Sequence, residues 1–124
     1  MELGTTLSKE IGRYLDLATR QIEMTEANMA NIDTPGYRAV GMDFDAEMRR
    51  AIAQAASPQS APPNIPEVNI HEVDGLVVRP DGNDVSMDRE SLKLADAQLK
   101  FKIGVALLKR DGQMMMDAIH ADSK

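Results

Sequence analysis

The sequence predicts a mainly α protein. Long N- and C-terminal helices pair as a coiled-coil-like bundle, and an irregular middle segment holds a short helix and a β-hairpin. Three observations carry this reading: helical apolar spacing at both ends, a run of turn residues closing the first helix, and a proline-rich stretch in the middle.

The first element spans residues 1–37. Leu7, Ile11, Tyr14, Ala18, Ile22, Thr25, Met29 and Ile32 recur at steps of three and four, with one extra residue in the middle of a heptad pattern. An ordinary amphipathic bundle helix and a longer coiled-coil-like assembly helix share this spacing. Asp16 and Arg20 stand i,i+4 on the outer side. The helix ends in "ANMANIDTPGYRAV". Pro35 pushes Thr34 out of the helical region, and Pro35-Gly36 suits the two central positions of a type II turn, where glycine takes positive φ cheaply. Asn28, Asn31 and Asp33 are placed to bond the helix's last carbonyls or the turn's amides. Tyr37 is then expected to fold back on the helix end.

The middle segment spans residues 38–85. "RAVGMDF" suits a short extended piece. "DFDAEMRRAIAQAA" suits a helix with Asp43 or Asp45 near its start and an Asp45–Arg49 pair. The stretch 57–66, "SPQSAPPNIP", has four prolines in ten residues and reads as a linker. Beyond it, Asp74-Gly75 between two β-rich runs predicts the hairpin.

The last element spans residues 86–124. Ser86 suits an N-cap, with Asp88 and Glu90 in the first turn. One apolar stripe runs through Leu92, Ala95, Leu99, Ile103, Ala106 and Met114. A second runs through Leu94, Phe101, Val105, Leu108, Met115 and Ile119. The single long helix available in this chain can bury only one of them, so burial against other subunits is expected for the rest. The interface set is Leu7, Ile11, Ala18, Ile22 and Met29 on the first helix and Leu92, Leu99, Phe101, Val105 and Leu108 on the last. Gly104 costs about 1 kcal/mol in a helix interior relative to alanine, which close helix approach would offset.

Composition narrows the function. The chain has 124 residues, no cysteine, no tryptophan and nine methionines, so aliphatics and methionine fill the core. Neither a disulfide framework nor a thiolate metal site is possible. The net charge of −6 is concentrated in the middle segment, and no basic face suggests nucleic acid. No apolar run approaches a membrane span, and Met1-Glu2-Leu3-Gly4 does not resemble a cleavable secretory signal. His71 and His120 lack companions at ligand spacing. "DGNDVSMDRE" fails the calcium-loop pattern, since Val85 and Ser86 fall where a ligand and a glycine are needed. Nucleophile and phosphate-loop motifs are absent. Neither enzymatic activity nor a cofactor or metal is expected.

The stretch "ANMANIDTPGYRAV" resembles the asparagine-rich signature of bacterial flagellar axial proteins, A-N-x-A-N-x-x-T-P-G-Y, carried here by Asn28, Asn31, Thr34, Pro35, Gly36 and Tyr37. The short length and "DGNDVSMDRESLKLADAQLKFKIGVALLKR" are similar to proximal rod subunits of that family. The resemblance covers both ends. It implies terminal helices paired in the inner layer of a helical tube, and export by the flagellar route without signal cleavage. It also implies a periplasmic place in the basal body, with copies of the chain, other rod proteins, and ring and export-gate-associated proteins as partners. The ending "DGQMMMDAIHADSK" departs from the family pattern, so its last turns are expected to pack differently. A helical adaptor or export chaperone is the other class weighed; it has no reason to carry the Thr-Pro-Gly-Tyr signature.

Overall fold

The computed structural model describes residues 2–56 and 67–122, and the side chains of residues 6–56 and 67–122. The expected linker at 57–66 lies outside the described residues. Among the described residues, three helices and one small sheet follow one another. These are α1 (Glu2–Ala30), β1 (Val40–Gly41), α2 (Phe44–Ala55), β2 (His71–Glu72) and α3 (Met87–Asp122).

α1 and α3 form an antiparallel pair, as the terminal periodicity predicts. Cross-helix neighbours run in opposite directions: Ser8 with Asp111, Leu15 with Gly104, Gln21 with Lys100 and Asn28 with Glu90. α3 has 36 residues, about 54 Å at 1.5 Å per residue, and runs through Gly112 without a break. On α3 the buried residues are Glu90, Ala97, Gly104 and Asp111, each seven apart. This heptad seam contains no large apolar side chain. Gly104 explains the choice: a Cβ there would stand 2.6 Å from Leu15 Cδ2 and 3.1 Å from Tyr14 Cδ1. The backbones approach closely because the residues between them are small.

The seam on α1 differs from the predicted one. Ile11, Ala18 and Thr25 are buried at heptad spacing. The alternate positions are half-buried Tyr14, half-buried Gln21 and buried Asn28. The pattern therefore needs no extra residue; polar Gln21 and Asn28 take the places that apolar spacing assigns to Ile22 and Met29, both of which are half-buried. Apolar periodicity misses these positions because their partners across the seam, Lys100 and Glu90, are polar.

α2 covers a neighbouring face of α1. Asp43 caps it, accepting a hydrogen bond from the Ala46 N–H at 3.1 Å. Leu17, Ala18 and Phe44 form the apolar core here, with Tyr14, Met42, Met48 and Val68 packed around them. The Tyr14 and Phe44 rings meet edge to face, 5.3 Å apart. Lys100 of α3 lies 4.1 Å from the Phe44 ring centroid and 2.9 Å from Asp96. Buried Glu47 pairs with Arg50 rather than Asp45 with Arg49, and it accepts from the Asn69 N–H at 3.1 Å. On α1 the outer pair is Arg20 with Glu23, not with Asp16.

The sheet is antiparallel, with Val40 opposite Glu72 and Gly41 opposite His71. A two-stranded sheet is present, but it is not the hairpin expected around Asp74-Gly75. Gly75 does turn the chain with φ +78°. The residues beyond it form no strand, because the strand's partner is the extended piece just after the helix exit. Val73 N–H bonding to the Ala39 carbonyl at 3.0 Å continues that pairing.

Candidate functional site at the helix exit

The exit from α1 is built from the signature residues. The Tyr37 N–H donates to the Thr34 carbonyl at 3.2 Å across Pro35 and Gly36, and Gly36 has φ +76°. This is the predicted turn, with glycine where φ must be positive. Asn31 Nδ2 donates to the Ala27 carbonyl at 2.8 Å, satisfying one of the helix's last carbonyls. Thr34 Oγ1 donates to Asn31 Oδ1 at 3.1 Å.

Asn28 behaves differently from the expected local cap. It is buried and uses its whole amide across the fold. Its Nδ2 donates to the Val40 carbonyl at 2.8 Å and to Glu90 Oε2 at 3.1 Å. Its Oδ1 accepts from the Val40 N–H and from Tyr37 Oη, each at 3.0 Å. With two donations and two acceptances the amide is fully satisfied, and toward Val40 it acts as another strand would. Tyr37 thus folds back on the helix end as expected. Burial, and then the nearby carboxylates of Glu90 and Asp84, hold its phenol above its ordinary value.

A second group, which the sequence does not place against the helix exit, completes the site. The chain turns at Arg79-Pro80-Asp81-Gly82, where the Gly82 N–H donates to the Arg79 carbonyl at 2.9 Å. Gly82 has φ +86°, and a Cβ there would stand 3.2 Å from Gly36 Cα, so the two glycine turns lie against each other. The Gly36 N–H donates to the Asp81 carbonyl at 2.8 Å. Asn83 is fully buried, and its Nδ2 donates to the Asn31 and Thr34 carbonyls, each at 2.9 Å. Arg79 reaches the Ile32 carbonyl and, at 3.0 Å, that of Val85. Asp84 accepts from the Ala39 N–H at 2.6 Å and lies 3.6 Å from Arg38. Glu90 Oε1 is 3.6 Å from Arg89 Nε and 3.9 Å from Lys93 Nζ. Ser86 caps α3 as predicted, with the Arg89 N–H at 3.4 Å from its Oγ. The acid-rich "DGNDVS" was legible as a turn and cap. Its pairing with a segment some fifty residues earlier left no local pattern to read.

The predicted interface residues divide by position. Ile11 and Ala18 are buried within the chain, and Ile22, Met29 and Val105 are half-buried. Leu7, Leu92, Leu99, Phe101 and Leu108 are exposed, Leu92 by 74% and Leu99 by 58%. Met114, Met116 and Ile119 extend this apolar surface along α3. Among the described residues, no group of acidic or histidine side chains has the arrangement of a metal site. Among them too, no helix is long and apolar enough to cross a membrane.

The fold and site define a helical-hairpin subunit, closed at one end by a polar junction and carrying exposed apolar rows along its last helix. No family model matches the chain. The flagellar basal body rod protein FlgB of Salmonella typhimurium is 34% identical over 119 residues, covering 85% of this chain and 86% of that protein. The FlgB protein of Yersinia ruckeri is 33% identical over 119 residues, covering 85% and 87%. That of Borrelia hermsii is 27% identical over 106 residues, covering 73% and 78%. The chain belongs to the FlgB family of flagellar basal body rod proteins.

Proposed function

We propose that the chain is a structural subunit of the flagellar basal body rod, joining copies of itself and other rod proteins in a helical shaft that transmits torque. Residues 1–37 and 86–124 act as its assembly arms, and residues 38–85 fill contacts farther from the axis. It reaches the rod by the flagellar export route, without signal cleavage, and meets ring and export-gate-associated proteins at its base.

The observation that carries this reading is the two apolar rows of α3, Leu92 with Leu99 and Phe101 with Leu108, which remain exposed on a folded chain of this family. An exposed apolar surface of this kind marks a protein interface. Nothing in the reading needs a cofactor or a reaction; mechanical coupling needs a fixed shape and large contact surfaces.

The test is Leu99→Asp, together with Leu108→Asp, in cells lacking the native copy. Both positions are exposed in the single chain, so the purified variants keep their helical circular dichroism. They are expected to be missing from purified basal bodies and to give no swimming halo. Normal swimming by both variants overturns the assignment of these rows to assembly.

A further inference from the structure

We propose that the helix exit and the start of α3 form one all-or-none clasp, in which Asn83 and Asp84, outside the signature, are positioning residues as necessary as Asn28. The signature is half of this device; residues 79–90 are the other half.

Each half supplies hydrogen-bond partners to the other. At the end of α1, the carbonyls of Asn31, Ile32 and Thr34 take hydrogen bonds from Asn83 and Arg79. The Gly36 and Ala39 N–H groups donate to Asp81 and Asp84. In the other half, Asn83 and Glu90 are fully buried, and the exit supplies Asn83 Nδ2 with two acceptors. Glu90 receives its hydrogen bond from Asn28. Buried polar groups without partners are costly, so a half-closed clasp is worse than an open one.

The apolar contribution is small. Ala39 and Val85 are the buried apolar residues at the junction, so hydrophobic contact alone cannot hold one half in place. The halves are also far apart in sequence: Asn83 meets Asn31 and Thr34 across 52 and 49 residues. Closing that loop carries one entropic cost, incurred before the first bond forms and offset only when the whole set has formed. A network with a single entry cost and strong penalties for partial satisfaction opens and closes as a unit. The direction in which the chain leaves α1 and the position at which α3 begins are therefore set in one step. A chain disturbed in either half presents neither.

Amide hydrogen exchange of the full chain tests this. Asn83→Ala directly removes the partner of the Val85 N–H and the donors to the Asn31 and Thr34 carbonyls. It touches none of the bonds made by the Gly36, Ala39 and Val40 N–H groups. Exchange at those three amides is nevertheless expected to accelerate roughly tenfold or more, in step with Val85. Asn28→Ala is expected to do the converse, accelerating the Arg79 and Val85 amides, which it does not contact. The Asn69 amide, held by Glu47 beside α2, keeps its native rate in both. If Asn83→Ala fails to fold, Arg79→Lys reads the same amides, since it loses the fork between the Ile32 and Val85 carbonyls and keeps the charge. Acceleration confined to Val85, or an equal acceleration of Asn69 and the clasp, overturns the proposal.

Discussion

α3 presents two kinds of surface. One, through Glu90, Ala97, Gly104 and Asp111, meets α1 and is polar or small. The other is a pair of exposed apolar rows on different sides of the helix, Leu92 with Leu99 and Phe101 with Leu108 and Met115. In an ordinary amphipathic helix the two would be exchanged. The two kinds of residue have separate tasks. Asn28 with Glu90 and Ser8 with Asp111 pin the pair near its two ends, the latter at 2.5 Å, and specify one register. Small residues between them permit close approach but contribute little hydrophobic stabilisation. Most of the large apolar groups of α3 stay exposed in the single chain.

One charge placed on each surface separates their roles most strongly. Ala97→Asp puts a carboxylate into a fully buried seam position, at a cost of about 3 kcal/mol or more. Chemical denaturation of the purified chain should show that loss. Leu99→Asp, two residues along, should leave the monomer's midpoint nearly unchanged. Equal effects would mean that the surfaces are not divided in this way.

Asn28→Asp sharpens the reading of the pins. It keeps the side chain's shape but removes both donations, to the Val40 carbonyl and to Glu90, and sets two carboxylates together. The expected loss is roughly 3 kcal/mol. Asn31→Ala, at a half-buried position whose side chain bonds only to Ala27 and Thr34, should lose about 1 kcal/mol. A denaturation series that ranked them in reverse would remove Asn28 from the centre of the junction.

Gly36→Val tests the turn itself. It forces a β-branched residue to φ +76°, a strain of order 1–3 kcal/mol. We expect the variant to be secreted but depleted in basal bodies, measured as the ratio of protein in the medium to protein in the purified rod. Normal incorporation would make the turn's geometry irrelevant to assembly.

The smallest effect concerns pH. Burial raises the phenols of Tyr14 and Tyr37 above their ordinary value, so the folded chain favours the neutral form. That stabilisation is complete below pH about 10, the unfolded value, and is lost as pH rises through the raised folded values. Thermal melting temperatures should therefore fall in strong alkali. Tyr37→Phe should lower the neutral-pH value slightly, by removal of the bond to Asn28, and reduce the alkaline drop without abolishing it, since Tyr14 remains.

The elements with local causes are legible in the residues themselves. Three helices follow from periodicity and from the Asp43 and Ser86 caps, and the exit turn follows from Pro35-Gly36. The close approach at Gly104 could be read because glycine inside a long helix needs a reason. Tertiary structure alone decided which groups meet. The polar seam positions Gln21, Asn28 and Glu90 have no apolar signal, because their partners lie on another helix. The strand at His71–Glu72 pairs with Val40–Gly41 rather than with the residues after Gly75, since the helix exit holds that first strand in place through Asn28. Asn83 and Asp84 read locally as a turn before a helix, and only the folded chain brings them under the Thr-Pro-Gly-Tyr turn. Local conformation is set by neighbours in sequence, whereas a buried hydrogen bond is set by whichever group the fold delivers to within about 3 Å.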